Sequence, residues 1–155
     1  MTSPSSGSTV IAAVDFSDHG EGIVREGLLL ARAAGESLHI IHVAAGEPIL
    51  AGYDKEDINS FTRSARAGEL TDEHRRVREL AETLTDTTGV DVHPLVVMGP
   101  ASETLLTAID ELHASHIVVG THGHGGMHHL MFGSVAQELV RRSAVPVLLV
   151  PVVKR

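Results

Sequence analysis

The feature that most constrains the fold is an alternation, along nearly the whole chain, between short apolar runs rich in β-branched residues and longer stretches with helical periodicity. The first run is apolar on both faces, which is typical of a central strand in a parallel sheet. Strands separated by helices imply right-handed crossovers and helices on both faces of that sheet. The sequence therefore predicts an α/β fold. The five predicted strands are Val10–Val14, Leu38–Val43, Val92–Met98, Ile117–Gly120 and Val147–Val153.

Local signals mark the ends of several helices. Asp18, with Glu21 three residues later, forms a capping-box-like start for the first helix, and Gly35 is suited to end it. Gly89 stands beyond the end of the second helix, and Pro94 indicates that the third strand lies at an edge of the sheet. The helical spacing also predicts buried faces on the third and fourth helices. These faces consist of Ala101, Leu105, Ala108 and Leu112 in the third helix, and of Val135, Leu139 and Arg142 in the fourth.

Length and charge narrow the class of protein. The chain has 155 residues, the size of one domain, and 43% of them are hydrophobic, which is enough for one core. A formal net charge of −8 disfavours binding to nucleic acid or to anionic membranes. No apolar run approaches the roughly 20 residues that span a bilayer, and the first residues show no signal-peptide pattern. We expect a cytoplasmic protein with a disordered tail over residues 1–9 and a single domain over residues 10–155.

Candidate ligand-binding residues follow the predicted strands. Ligands of parallel α/β sheets bind beyond the carboxyl ends of the strands, where the strand order reverses. Asp15 and Ser17 follow the first strand, Gly99 follows the third, and a segment from Gly120 to Gly123 follows the fourth. Asp18 can cap the first helix, which leaves the Asp15 carboxylate for a ligand. Ser17 has two possible roles, since it could contact a ligand or cap the helix itself.

The spacing Gly120-x2-Gly123-x9-Gly133-Ser134 is the strongest functional signal. Gly120 and Gly123 allow the backbone to approach a ligand, because neither carries a Cβ atom. Gly133 and Ser134 open the fourth helix, where unpaired N–H groups, the helix dipole and the Ser134 hydroxyl favour a phosphate. The same glycines could instead serve only tight turns and the helix start. The strand before this loop and the helix after it favour phosphate binding over that alternative.

The sequence lacks several other common sites. A P-loop needs a lysine directly after its glycines, but the only lysines are Lys55 and Lys154, and neither follows such a loop. The segment after the first strand lacks the glycines of a dinucleotide-binding fingerprint. Met98-Gly99 stands where a receiver domain would carry its phosphoacceptor aspartate. No set of residues forms a complete catalytic machine, so we expect slow hydrolysis of a bound nucleotide at most.

Histidines suggest a metal-binding alternative. Four of the 11 histidines share the glycine-rich loop: His122, His124, His128 and His129. Imidazole binds Zn, Ni or Cu, but no helix here places two of these histidines four residues apart with a carboxylate, and the chain has no cysteine. A loop that covers a ligand is therefore preferred over a dedicated metal site. His39 and His42 in the second strand and His93 in the third are interpreted as structural or surface residues.

Three segments together resemble the ATP-binding branch of the universal stress protein family. They are the glycine signature from Gly120-Thr-His-Gly123 to Gly133-Ser-Val-Ala-Gln-Glu-Leu139, the opening Val14-Asp-Phe-Ser17 and the ending Val145-Pro-Val-Leu-Leu-Val150. The resemblance covers nearly everything from Val10 to Val153. It implies a Rossmann-like sheet of the adenine nucleotide alpha hydrolase type, with strand order 3-2-1-4-5 and helices on both faces.

The resemblance also implies a cofactor, ATP with Mg²⁺, and a role for each matching position. The adenine, the ribose and the first phosphate would lie against Asp15, the backbone of Val43, Met98, Gly99, Val119 and Gly120. The phosphates would be held by Gly123, Gly133, Ser134 and Val135. The sequence differs from relatives that carry Arg or Lys in this loop, because histidines stand there instead.

The function predicted from these features is an ATP-binding module with a regulatory or stress-response role. Hydrolysis would be slow or absent, and a weak ATPase is the enzymatic variant of the same hypothesis. Two alternatives stay open. One is a nucleotide-free dimerisation or interaction module of the same fold, and the other is a metal-binding protein that uses the loop histidines.

The last strand predicts a partner. Val147–Val153 has no charged residue before Lys154, and a final strand added to an open sheet is expected at an edge. An apolar edge with free N–H and C=O groups favours pairing with another chain. Pairing of this strand about a two-fold axis would satisfy both edges at once, and the resemblance also implies a homodimer.

Overall fold

The computed structural model describes residues 7–15, 20–44, 60–122 and 132–152. Within these ranges, strands and helices alternate as predicted. The strands are β1 (Thr9–Val14), β2 (Ser37–Ala44), β3 (Val92–Met98), β4 (Ala114–Gly120) and β5 (Val147–Val150). The helices are α1 (Gly20–Ala34), α2 (Ser60–Thr88), α3 (Ala101–Glu111) and α4 (Ser134–Arg142). None of the helices in these ranges has the length and apolar character needed to cross a membrane.

The five strands form one parallel sheet in the order β3-β2-β1-β4-β5, which confirms the predicted fold class and strand order. The chain begins in the middle of the sheet with β1 and moves outward through β2 to β3. It then crosses back to add β4 and β5 on the other side of β1. β3 is an edge strand, which confirms the interpretation of Pro94, since an edge tolerates a residue without a backbone N–H.

Each face of the sheet carries its own core, because successive side chains of a strand point to opposite faces. α1 and α2 close the first core, which contains Val10 and Val77. α3 and α4 close the second core, which contains Ile11 and Leu139. Every buried hydrophobic side chain in the described ranges is Val, Ile, Leu or Ala, as expected for a chain with only 3% aromatic residues.

The predicted helix ends agree with the backbone geometry. Gly35 follows α1 with a φ of 68° and Gly89 follows α2 with a φ of 72°, both in the left-handed region that favours glycine. α3 begins directly after Pro100, whose fixed φ suits a helix start. The proposed cap Asp18 lies outside the described residues.

Two predicted buried faces need correction. Arg142 was expected in the seam of α4, but its side chain is exposed and pairs with Glu103 of α3 and Glu138 of α4. Ala136 and Leu139 are the buried residues of α4. In α3, Leu105 and Ala108 are buried as predicted, but Ala101 and Leu112 are only partly buried. Ile109 takes the remaining buried position, because the face of α3 that meets the sheet is rotated from the predicted one.

The last strand is shorter than predicted. Its ladder with β4 runs from Val147 to Val150 and does not include Pro151 or Val152, while Val153 lies outside the described residues. Pro151 follows directly and has no N–H to donate, so the regular ladder ends there.

A polar network closes the amino ends of the strands. The Thr9 hydroxyl lies 3.0 Å from the Ser37 carbonyl oxygen and 2.9 Å from His39 Nδ1. The His39 ring stacks on His93, with the ring centroids 4.8 Å apart. Burial lowers the pKa of His39 to about 4, and the neighbouring His93 acts in the same direction, while Asp91 opposes both. His39 and His93 are therefore structural residues, as predicted.

The lowered pKa of His39 makes stability depend on pH. In the unfolded chain His39 takes up a proton near its ordinary pKa of 6.5, whereas in the folded chain it does so only near 4. The contribution of neutral His39 to the free energy of unfolding is therefore complete above pH 6.5 and is lost as the pH falls towards 4. We predict that the free energy of unfolding falls more steeply between pH 7 and pH 5 for the wild type than for His39→Asn.

Urea denaturation at both pH values measures this difference. His113→Asn, a change of an exposed histidine outside the network, is the matched control and should keep the wild-type slope. Equal slopes for wild type and His39→Asn would contradict the assignment.

Candidate functional site

The hydrogen-bond ladder between β1 and β4 stops before the carboxyl ends of these strands, and we call the region beyond its last pair the crevice. Their ladder ends at the pair Ala12 and Val118, although β1 continues to Val14 and β4 continues to Gly120. These two strands are also the ones between which the strand order reverses. The position is the one at which parallel α/β sheets hold their ligands.

Asp15 and Val43 border this crevice on the β1 side. The β1–β2 ladder ends at the pair Val14 and His42, so Asp15 and Val43 are the next residues along each strand. The Asp15 side chain is half-buried, and it takes part in an interaction with the protein. The Val43 side chain is partly buried and packs against the second core. The expected backbone contact of Val43 with a ligand stays a prediction.

Thr121 joins both ends of the glycine-rich loop and was missed in the sequence analysis. Its carbonyl oxygen accepts a hydrogen bond from the N–H of Gly133 at 2.6 Å, so the residue before the loop is tied to the cap of α4. Its N–H donates to the Val150 carbonyl, and its hydroxyl accepts the N–H of Val152 at 3.0 Å. In the sequence, Thr121 is marked only by its position between Gly120 and Gly123 of the motif, and that position does not indicate these partners.

The start of α4 presents backbone N–H groups at the crevice. Gly133 is the N-cap of the helix, and no side chain caps it. The first hydrogen bond within the helix runs from Gln137 N–H to the Gly133 carbonyl at 3.0 Å. The N–H groups of Ser134, Val135 and Ala136 therefore have no acceptor in a preceding helical turn. Because the Gly133 N–H is bonded to Thr121, these three groups form the donor set, and Ala136 joins the residues expected from the sequence.

The three described glycines of the site differ in what a side chain at their position would disturb. Gly133 has a φ of −67°, which any residue adopts, so its backbone conformation does not require glycine. A Cβ atom on Gly120 would lie 3.1 Å from Val152 Cγ2 and 3.2 Å from Ile23 Cδ1, so these side chains would have to shift to admit a larger residue. Gly99 has a φ of 147°, and a Cβ there would lie 2.8 Å from Thr104 Oγ1. Gly99 is therefore needed for the turn that leads into α3.

The remaining predicted positions lie at the edges of the site or outside the described residues. Met98 ends β3 with an exposed side chain, and the Gly99 N–H donates to the Ala44 carbonyl of β2 at 3.3 Å. Val119 is buried in the second core, so its side chain cannot contact a ligand directly. Ser17, Gly123, His124, His128 and His129 lie outside the described residues. No group of three or more potential metal ligands occurs in the described part of the chain.

A group of Ser, His and Glu at the opposite end of the sheet is not arranged as a nucleophilic site. The Ser115 hydroxyl donates to the Glu36 carboxylate, so His116 Nδ1, 3.1 Å from that hydroxyl oxygen, must donate to it. A general base would instead have to accept the hydroxyl proton. Burial acts to raise the pKa of Glu36, but hydrogen bonds from Ser115 and Ser8 outweigh it and lower the pKa. The group therefore stabilises the amino ends of the strands.

The crevice can hold an elongated ligand with two different ends. Asp15 supplies a carboxylate, which accepts hydrogen bonds from the N–H and O–H groups of a ligand. The start of α4 supplies N–H donors and the positive end of a helix dipole, which favour an anion. A ligand with polar donor groups at one end and a negative charge at the other fits this arrangement.

Comparison with known proteins agrees with this architecture. A universal stress protein of Thermus aquaticus is 31% identical over 142 residues, which cover 92% of this chain and 97% of that protein. The structure of the universal stress protein UspA from Lactobacillus plantarum superposes with a TM-score of 0.77 at 17% identity, covering 92% of this chain and 97% of the other.

Two similar structures contain adenine nucleotides. One is a universal stress protein in complex with cAMP, with a TM-score of 0.63 and 23% identity, covering 93% of this chain and 96% of that one. The other is the universal stress protein from Archaeoglobus fulgidus in complex with dAMP, with a TM-score of 0.60 and 19% identity over 92% and 97% of the two chains. The universal stress protein family model matches residues 8–151 of this chain. The chain therefore belongs to the universal stress protein family.

Proposed function

We propose that the chain binds ATP in the crevice between β1 and β4 and serves as a regulatory module. The observation that carries this proposal is the early end of the β1–β4 ladder, with Asp15 on one side and the free N–H groups of α4 on the other. Relatives in complex with cAMP and dAMP support an adenine nucleotide as the ligand class. The resemblance of the glycine signature to that of the ATP-binding branch is the reason for proposing the triphosphate instead of a monophosphate.

The adenosine end is proposed to lie near Asp15 and the backbone of Val43. A carboxylate accepts hydrogen bonds from the amino group of adenine or the hydroxyls of ribose, and a backbone N–H or C=O pairs with the base edge. Both residues stand one step beyond the last β1–β2 pair, at the carboxyl ends of the strands where the ligand is proposed to lie.

The phosphates are proposed to bind at the start of α4. Backbone N–H donors that are not used within a helix bind phosphate without the entropic cost of ordering a side chain. The helix dipole strengthens their attraction for the phosphate. Gly133 supports this map, because its conformation does not require glycine whereas close approach of a phosphate would. Mg²⁺ would be held mainly through the phosphate oxygens, as is common for this ion.

The described residues favour binding over turnover. At the crevice they supply donors and one carboxylate, but no pair of groups placed as nucleophile and base. We therefore propose that hydrolysis is slow or absent, and that nucleotide occupancy is the regulatory signal.

The proposal predicts that ATP binds with a dissociation constant below the millimolar range at neutral pH and more tightly than AMP, because the α4 donors contact the outer phosphates. Isothermal titration with ATP, ADP and AMP measures this order. A raised ratio of absorbance at 260 to 280 nm in the purified protein would show that nucleotide copurifies. If no adenine nucleotide binds below millimolar concentration, the proposed function is wrong.

Ser134→Pro tests the phosphate end. Proline is well tolerated at the first position of a helix, and Gly133, with a ψ of 162°, has the extended backbone that a residue before proline prefers. The change removes one N–H and one hydroxyl, and a hydrogen bond to a charged group is worth about 1.5–3 kcal/mol, so ATP affinity should fall about tenfold or more. Ser134→Ala removes only the hydroxyl and should have a smaller effect. Full ATP affinity in folded Ser134→Pro would contradict the map.

We also propose a homodimer through β5. This strand is an edge of the sheet, and Leu148 is 37% exposed on it. Light scattering should give twice the chain mass of 16.4 kDa. Leu148→Lys should shift the protein towards the monomer without unfolding it, because Leu149 and Val150, not Leu148, pack against the cores. A monomer at high concentration in the wild type would contradict the proposal.

A further inference from the structure

A buried imidazole lies next to the candidate nucleotide site. His42, near the end of β2, is only 7% exposed and points to the face of the sheet that α2 covers. Its Nδ1 lies 3.0 Å from the Val14 carbonyl oxygen. A carbonyl oxygen only accepts hydrogen bonds, so Nδ1 must carry the proton and donate it. The interpretation of His42 as a structural residue is thus confirmed, and its position gives it a further role.

The bond to Val14 acts directly on Asp15. The Val14 carbonyl belongs to the peptide unit whose nitrogen is that of Asp15. Val14 also stands beyond the last β1–β4 pair, so β4 does not hold this peptide unit. The β1–β2 ladder does reach Val14, through its pair with His42, and the side-chain hydrogen bond from His42 adds to that backbone pairing in setting the plane of the peptide that precedes the Asp15 side chain.

The second nitrogen of the ring contacts helix α2. His42 Nε2 lies 3.3 Å from Glu73 Oε2, within ion-pair distance. That oxygen is buried and, among the described residues, has no well-aligned hydrogen-bond donor. Because Nδ1 donates to Val14, the contact at Nε2 is favourable only with a second proton, carried either by Nε2 of the imidazolium or by the Glu73 carboxyl. With that proton in place, the contact satisfies the buried oxygen and favours one placement of the helix. Glu73 also shares a helical face with Val77 and Ala81, four and eight residues later, which pack into the first core.

We propose that His42 is a positioning residue that couples helix α2 to the nucleotide site. Glu73 orients the ring, the ring holds the Val14–Asp15 peptide unit, and this unit orients the Asp15 carboxylate. The coupling rests on the proposed function. Because coupling between two sites is reciprocal, bound nucleotide stabilises the docking of α2, and a change in that docking alters nucleotide affinity. Helix α2 is thus the element through which occupancy of the crevice is transmitted.

A pair of variants on α2 tests the coupling without touching the site. Glu73→Ala removes the contact with His42, and Glu79→Ala removes an exposed carboxylate from the same helix. Glu73→Ala should weaken ATP binding about fivefold to tenfold, at the lower end of typical coupling energies, whereas Glu79→Ala should leave it unchanged. Isothermal titration gives the affinities, and circular dichroism checks the fold. Equal affinities for the two folded variants would overturn the coupling.

Two amides at position 42 separate the two contacts of the ring. Asn places a donor near the position of Nδ1 and cannot reach Glu73, whereas Gln reaches the position of Nε2 and leaves the Val14 carbonyl without its donor. His42→Gln should weaken ATP binding about tenfold, and His42→Asn should weaken it less. The rate of amide hydrogen exchange in residues 71–77 of α2, the segment around Glu73, should rise in His42→Asn. In His42→Gln it should stay near the wild-type rate.

The outcomes separate this proposal from the proposed function. If the wild type binds no nucleotide, the proposed function is wrong, and the coupling that rests on it is wrong as well. If the wild type binds ATP and both His42 variants bind ATP as tightly as the wild type does, the coupling is overturned and the proposed function stands.

Discussion

The reversal of strand order between β1 and β4 is the constraint on which the rest of this structure depends. The chain starts at the centre of the sheet, builds outward on one side and then returns to build on the other. Two strands that receive their helices on opposite faces diverge at their carboxyl ends, and here the ladder between them stops at Ala12 and Val118. The backbone beyond that pair is not committed to β1–β4 pairing, and this is the feature that makes a ligand site possible.

The parts around this crevice hold one another in place through backbone hydrogen bonds. Thr121 connects the end of β4 to the cap of α4 and to the segment after β5. Gly120 packs closely against Ile23 and Val152, which would have to shift if it carried a Cβ atom. A site held in this way is pre-organised, because the donors of α4 do not have to be assembled when a ligand arrives. The edge strand β5, where we propose dimer formation, is joined to the same point through Val150.

Much of the fold could be predicted from the sequence because its signals are local. Alternating apolar runs specified the elements, and Gly35, Gly89 and Pro94 marked two helix ends and one edge strand correctly. The predictions were wrong where contacts with residues distant in sequence or the end of a strand ladder determine the structure. Arg142 fits the helical spacing of a buried seam, but its charge is satisfied by Glu103 of another helix at the surface. Pro151 ends the β5 ladder earlier than the apolar pattern suggested.

The candidate site could be predicted only in part, for the same reason. Asp15 and Ser134 were selected because acids that follow strands, glycines and helix starts are visible in the sequence, and their role in binding stays a prediction. The role of Thr121 depends on partners 12 and more residues away, which no local pattern reveals. His42 was recognised as structural, but its contacts with Val14 and Glu73 depend on the register of β1 with β2 and on the docking of α2.

Nuclear magnetic resonance of the ¹⁵N-labelled protein during titration with Mg²⁺ and ATP tests the central claim most directly. The account predicts that the backbone amides of Ser134, Val135 and Ala136, together with that of Asp15, show the largest shifts and saturate together. Amides at the amino ends of the strands, such as those of Ser37 and His93, should remain unchanged. Unmoved α4 and Asp15 amides at saturating ATP would contradict a nucleotide site in the crevice between β1 and β4.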